Sequence, residues 1–270
     1  MAAKSDVFKL DEQLFFVHAG GHRLQVMTLT PPGSPQASEA TLVFLHEGLG
    51  SIGQWRDFPR LLAEATGLRA VVYERYGFGG SDRLLEQRDI HYHEVEALES
   101  LPELLTACGV QAPILIGHSD GATIALLYAA SFPGQLRGVI SEAAHVFVEE
   151  MSLAGIREAI KAFEAGSLRE KLVRFHADRT DDMFHGWSDT WLAPEFREWN
   201  ILGHLADIRC PLLAIQGADD EYGTQAQLQA ICGRVSGRVE RLVVPDCGHI
   251  PHHQAREVVL QAMTQFIGQL

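Results

Sequence analysis

Gly117-His118-Ser119-Asp120-Gly121 follows an apolar run, Ile114-Leu115-Ile116, and precedes a run of helix formers from Ala122 to Ala130. The apolar run reads as a buried strand and the residues after Gly121 as a helix, so Ser119 falls on the turn between them. A turn that sharp needs glycine two residues before and two after, and it pushes the hydroxyl clear of the backbone. That placement suits a nucleophile. The five-residue pattern alone is common; the strand before it and the helix after it make it specific.

Outward from this turn, short apolar runs alternate with helical stretches. Predicted strands are Thr41 to Leu45, Leu68 to Tyr73, Pro113 to Ile116, Leu136 to Ile140, Pro211 to Gln216 and Arg241 to Val244. Runs of four to six residues without polar alternation fit strands covered on both faces, as in a parallel sheet. Gln13 to His18 and Arg23 to Thr30 flank Gly20-Gly21 and read as a hairpin, with Pro31-Pro32-Gly33-Ser34-Pro35 as the connection onward. Helices are expected over Asp57 to Thr66, His91 to Cys108, Thr224 to Ile231 and Gln254 to Ile267. The fold class is therefore α/β: an open, mostly parallel sheet with helices on both faces.

His145 to about Leu205 breaks this rhythm. Sixty residues without a strand signal, carrying helical runs (Gly155 to Ala165, Leu168 to Ala177) and Trp187, Trp191 and Trp199, are too many for a structureless loop. We expect a helical lid over residues 145–205, inserted above the carboxyl ends of the strands, with 1–144 and 206–270 forming one core domain.

The chain has 270 residues, 46% hydrophobic and 21% charged, with formal net charge −13. That acidity argues against nucleic acid or an anionic membrane as partner. Cys108, Cys210, Cys232 and Cys247 show no paired spacing, which fits reduced thiols in a cytoplasmic protein. Met1 to Leu10 lacks an apolar core of signal-peptide length, and no stretch reaches the ~20 apolar residues of a membrane span.

A serine hydroxyl needs a base near neutral pKa and a carboxylate to orient that base. His249 follows a strand ending at Val243-Val244, after Pro245-Asp246-Cys247-Gly248, where glycine is expected to let the loop turn back. Asp219 and Asp220 follow the strand ending at Gln216. Asp220, three residues after Gly217, is the expected acid; Asp219 competes with it, and Glu142 is a more distant rival. Two backbone N–H groups must face the developing oxyanion. Asp120 supplies one. The loop His46-Glu47-Gly48-Leu49-Gly50 supplies the other, from Gly48 or alternatively Leu49.

These loops, with Arg75-Tyr76-Gly77-Phe78-Gly79-Gly80-Ser81, resemble the α/β-hydrolase superfamily in order and spacing, in its capped branch of small esterases and carbon–carbon bond hydrolases. The resemblance covers nearly the whole chain and carries the order Ser119, Asp220, His249. Two departures stand out: Glu47 replaces the common glycine after His46, and Asp120 replaces an uncharged residue. Both carboxylates are expected to point away from the oxyanion or to bond loop backbone.

The expected activity is cofactor-free hydrolysis of a small carboxylic ester through an acyl-enzyme. Leu49, Trp187 and Trp191 are the candidates for the substrate pocket. Alternatives are carbon–carbon cleavage of a diketone or dienoate, with Arg174 or Arg179 holding a carboxylate, lactone or amide hydrolysis, or a non-catalytic ligand receptor. His249 to His253 lacks an acidic ligand spaced to close a metal site, and Gly77 to Gly80 lacks the phosphate-loop pattern. His91, Tyr92 and His93 are read as solvent-exposed, and His118 as a packed structural residue.

Overall fold

The computed structural model describes residues 10–33 and 40–270; Ser34-Pro35 of the early connection and the first nine residues lie outside them. Eight strands form one sheet in the order β1-β2-β4-β3-β5-β6-β7-β8. The hairpin β1 (Asp11–Ala19) and β2 (His22–Thr30) is antiparallel and closes with Ala19 opposite His22. Gly20 and Gly21 both have positive φ, which the tight two-residue turn demands. β2 meets β4 (Ala70–Tyr73) antiparallel. From β4 onward the neighbours β3 (Ala40–Leu45), β5 (Ala112–His118), β6 (Gly138–Glu142), β7 (Leu212–Gly217) and β8 (Val239–Val244) are all parallel.

Alternate residues of the central strands feed two cores. Leu42, Phe44, Ile114 and Ile116 pack with α1 (Phe58–Thr66) and α10 (Arg256–Ile267) on one face. Val43, Leu45 and Leu115 pack on the other with α4 (Asp120–Ser131) and residues of the inserted helices. This is why these runs lack polar alternation: both faces are covered. α4 is buried from Asp120 to Ala130, which explains its all-round apolar sequence.

The helix expected over 91–108 is interrupted. α2 (Tyr92–Val95) and α3 (Leu101–Ala107) flank a π turn, Glu96–Ser100. Pro102 has no N–H to continue the α ladder, and the chain widens by one residue ahead of it. The helix expected over Gln254 to Ile267 begins two residues later, as α10, and a separate short helix, α9 (Pro251–Gln254), precedes it. α8 spans Gln225–Arg234 and is capped by the Thr224 hydroxyl, which accepts from Ala226 N–H.

Between β6 and β7 run α5 (Glu150–Glu164), α6 (Ser167–His176) and α7 (Thr180–Leu192). The segment leaves and returns through one antiparallel bridge, Phe147 opposite Asn200. Its α6–α7 junction is bolted to the core. Arg179 donates to the carbonyls of Gly79 (2.8 Å) and Ser81 (2.6 Å), and His176 accepts from Gly79 N–H (3.0 Å). Among the described residues no helix is long and apolar enough to cross a membrane.

Candidate active site

The strand order turns back on itself between β3 and β5, so the loops leaving these two strands diverge and open a crevice at the carboxyl edge of the sheet. Ser119 sits there. Its φ of 53° and ψ of −118° are costly for a residue with a Cβ. The glycines on either side give space rather than φ. A Cβ on Gly117 would lie 2.3 Å from the carbonyl oxygen of Gly121, and one on Gly121 would lie 2.0 Å from that of Leu45.

Three distant loops meet above this turn. Ser119 Oγ is 3.0 Å from His249 Nε2, and His249 Nδ1 is 2.8 Å from Asp220 Oδ1. A carboxylate only accepts, so Nδ1 carries the proton and Nε2 presents its lone pair to the hydroxyl. Asp220 Oδ1 also accepts from the N–H of Tyr222 (2.9 Å) and Gly223 (3.3 Å). Burial raises the Asp220 pKa, but the hydrogen bond and charge of His249 outweigh it and leave the carboxyl below its ordinary value. Asp219 is exposed and uses its backbone N–H on Cys247. Glu142 lies under His252 instead, accepting from its backbone N–H (2.6 Å) and from Nδ1 (2.9 Å).

Gly248 does not supply the turn expected of it, because the left-handed residue of that loop is Asp246, with φ 49°. A Cβ on Gly248 would lie 2.7 Å from Glu221 Oε2, the end of a flexible side chain. In the loop after β3, a Cβ on Gly48 would lie 2.3 Å from Trp187 Nε1. Among the described residues, the N–H groups of Gly48, Leu49 and Asp120 make no hydrogen bond. His46 is neutral: Nδ1–H donates to Glu47 C=O (2.7 Å), and Nε2 accepts from Arg75 N–H (3.1 Å). Burial, then the Arg75 charge, hold its pKa well below the ordinary value.

Both unexpected carboxylates turn away from the serine. Asp120 accepts from Tyr92 Oη (2.6 Å) and lies 3.3 Å from His93 Nε2 and 3.9 Å from Arg75 Nη2. Burial alone would raise its pKa, but these partners, His93 foremost, hold it below the ordinary range. Tyr92 and His93 are therefore buried, which corrects the expectation that the 91–93 run is solvated; only His91 is exposed. A carboxylate under α4 needs donors, and α2 docks to provide them. Glu47 pairs with His118 at 2.7 Å.

A cavity of about 490 Å3 opens over Ser119. Leu49, Trp187, Trp191, Ile156, Leu172 and Phe175 form its apolar wall. Trp199 lies outside it, donating to Glu94 Oε1 (3.2 Å). Arg174 does not reach it, and Arg179 is committed to the glycine loop; the cations at its mouth are Arg56 and Lys171. Among the described residues no cluster of His, Cys, Asp or Glu could hold a metal ion.

A serine on a strained strand–helix turn, bonded to an imidazole and through it to a carboxylate, at the edge of a mostly parallel sheet, is the arrangement of an α/β-type hydrolase. The chain belongs to the alpha/beta hydrolase family, whose model matches residues 42–262. A 2-hydroxy-6-oxo-6-phenylhexa-2,4-dienoate hydrolase from Burkholderia cepacia is 25% identical over 238 residues, 77% of this chain and 80% of that protein. A proline iminopeptidase from Saccharolobus solfataricus is 23% identical over 277 residues, 87% of each chain. Among solved structures, a serine hydrolase involved in carbazole degradation superposes with a TM-score of 0.75 at 16% identity, covering 96% of this chain and 100% of the other. The family and the curated relatives support hydrolase function.

Proposed function

We propose that the protein is a serine hydrolase that cleaves a small carboxylic ester without a cofactor. Ser119 attacks the carbonyl while His249 Nε2 takes its proton, and Asp220 steadies the imidazolium. The N–H groups of Gly48 and Asp120 receive the oxyanion. His249 then protonates the leaving alcohol and activates water to release the acid. The observation that carries this reading is the unbroken line Ser119–His249–Asp220, with contacts of 3.0 and 2.8 Å, at the floor of an apolar cavity. The wall of Leu49, Trp187 and Trp191 suits an aromatic or branched acyl group.

The test is labelling with a fluorophosphonate, paired with hydrolysis of p-nitrophenyl butyrate. Both are expected in the wild type. Ser119→Ala should abolish labelling and lower turnover by at least about 10³-fold. Retained turnover in that variant would refute the nucleophile, and an unreactive wild type would favour a ligand receptor.

Carbon–carbon bond hydrolysis is the second reading. The dienoate hydrolase relative favours it, as do Arg56 and Lys171, which line the mouth and make no ion pair among the described residues. Relative kcat/KM on an aryl ester and on a ring-fission dienoate separates the two.

A further inference from the structure

His118 ends β5, immediately before the nucleophile, and is 1% exposed. Its Nδ1 lies 2.7 Å from Glu47 Oε2, and its Nε2 lies 2.7 Å from the carbonyl oxygen of His249. Both partners can only accept. Both ring nitrogens must therefore carry hydrogen, and His118 is an imidazolium with no lone pair to offer a substrate. The three partners come from the ends of three different strands. Glu47 belongs to the loop after β3, His118 is the last residue of β5 and leads into the nucleophile turn, and His249 belongs to the loop after β8. Glu47 also lines the cavity, one residue ahead of Gly48.

We propose that Glu47 and His118 form a positioning clamp: the His118 cation ties the backbone of His249 and the oxyanion loop to the nucleophile turn, and cancels the Glu47 charge beside the oxyanion donors. The clamp rests on the serine hydrolase reading and adds to it an acid–base pair that makes no hydrogen bond to Ser119.

The surroundings favour the charged form. Burial would deprotonate His118, but the hydrogen bond and charge of Glu47, followed by Glu142, push it up to about 9. Glu47 is brought down to about 2 because the same bond and charge, with His252 and His249 behind them, outweigh its own burial. The other groups facing the pair are the rings of His252 (5.0 Å from His118), His249 (5.2 Å) and Trp55 (6.4 Å), the side chain of His253, whose charge couples to both Glu47 and His118, and Gln54, which donates to Glu47 Oε1 at 3.4 Å. A raised histidine pKa means that the clamp is complete below about 9 and is lost as pH rises through it. Above that point the cavity wall carries an uncompensated carboxylate next to the site of anion formation.

The rate of fluorophosphonate labelling of Ser119, followed from neutral to alkaline pH, reads the clamp without knowledge of the natural substrate. The wild type should show an alkaline decline centred near 9. Glu47→Ala should lower the rate about tenfold or more at neutral pH, since the loops lose their common tie. Glu47→Gln should recover much of that loss. Its amide can donate to Nδ1 of a neutral His118, whose Nε2–H still reaches the His249 carbonyl, and the alkaline decline should then vanish. Thermal melts establish that each variant is folded; should Glu47→Ala not fold, the isosteric Glu47→Gln carries the test. A Glu47→Gln profile that keeps the wild-type decline, or a Glu47→Ala rate equal to wild type, overturns the clamp and leaves the triad standing. A wild type that is not labelled at any pH overturns the triad and the clamp with it.

Discussion

Replacing Asp220 with asparagine isolates one quantity, the charge that steadies protonated His249. The two N–H donors on Oδ1, from Tyr222 and Gly223, dictate that an asparagine keeps its oxygen, not its nitrogen, toward His249. The tautomer is thereby preserved, and the charge is lost together with the weak 3.4 Å bond that Oδ2 accepts from Gln216 Nε2. With Nδ1 and Oδ1 2.8 Å apart, the charge centres lie about 4 Å apart, and at an effective dielectric constant of about 20 they attract by about 4 kcal/mol. The His249 side chain is 10% exposed and that of Asp220 1%, so solvent screens little of this. About 4 kcal/mol is about three powers of ten in rate. We expect Asp220→Asn to lower kcat for p-nitrophenyl butyrate about 10³-fold, with KM changed less than about threefold because the carboxylate does not touch substrate. Asp219→Asn is the control and should stay within about twofold of wild type, since Asp219 is exposed and bonds through its backbone. A Asp220→Asn enzyme within tenfold of wild type, or an equal loss in Asp219→Asn, would refute the assignment of the acid.

Two stability predictions follow from the packing around the nucleophile turn. Gly121→Ala places a methyl 2.0 Å from the Leu45 carbonyl oxygen, a backbone atom that cannot step aside, and should cost about 3 kcal/mol by urea denaturation; a change below about 0.5 kcal/mol would show that β3 and α4 can separate freely. Tyr92→Phe removes the 2.6 Å bond to Asp120 and also the acceptor for Trp191 Nε1 at 2.9 Å, so it should lower stability by about 1–3 kcal/mol and weaken acyl-chain discrimination at the Trp191 wall, measured as kcat/KM across a p-nitrophenyl ester series.

The sheet was legible because burial on two faces writes itself into sequence as unbroken apolar runs; Val43 and Phe44 are neighbours in the chain but lie in different cores. The strand ends were less legible. β6 and β8 are displaced by two residues from Leu136 and Arg241, because a strand ends where its ladder partner ends and no residue type marks that. Ser119, His249 and Asp220 could be located because each follows a strand at the same edge of the sheet. The burial of Tyr92 and His93 was not legible: three polar-capable residues in a row look solvated until the buried carboxylate they serve is known. The π turn before Pro102 is a similar case, since the proline announces a lost N–H but not how the helix will absorb it.

The two departures from the family pattern have one physical resolution. On the proposed mechanism an anion forms beside Ser119, and unpaired carboxylates there, in a chain of net charge −13, would oppose it. Four of the carboxylates near it have a cationic or cation-capable partner: Asp220 with His249 at 2.8 Å, Glu47 with His118 at 2.7 Å, Glu142 with His252 at 2.9 Å, and Asp120 with His93 at 3.3 Å and Arg75 at 3.9 Å; a fifth, Glu221, accepts from the His249 backbone N–H at 3.1 Å. Three of the histidines come from the sequence runs that also hold the serine and the base, so the pairs that neutralise the site also join its loops. On the proposed mechanism, removing any one acidic partner has two consequences, a change in local charge and a loosened loop, and the pairing with His118 is what lets a glutamate stand where a glycine is usual.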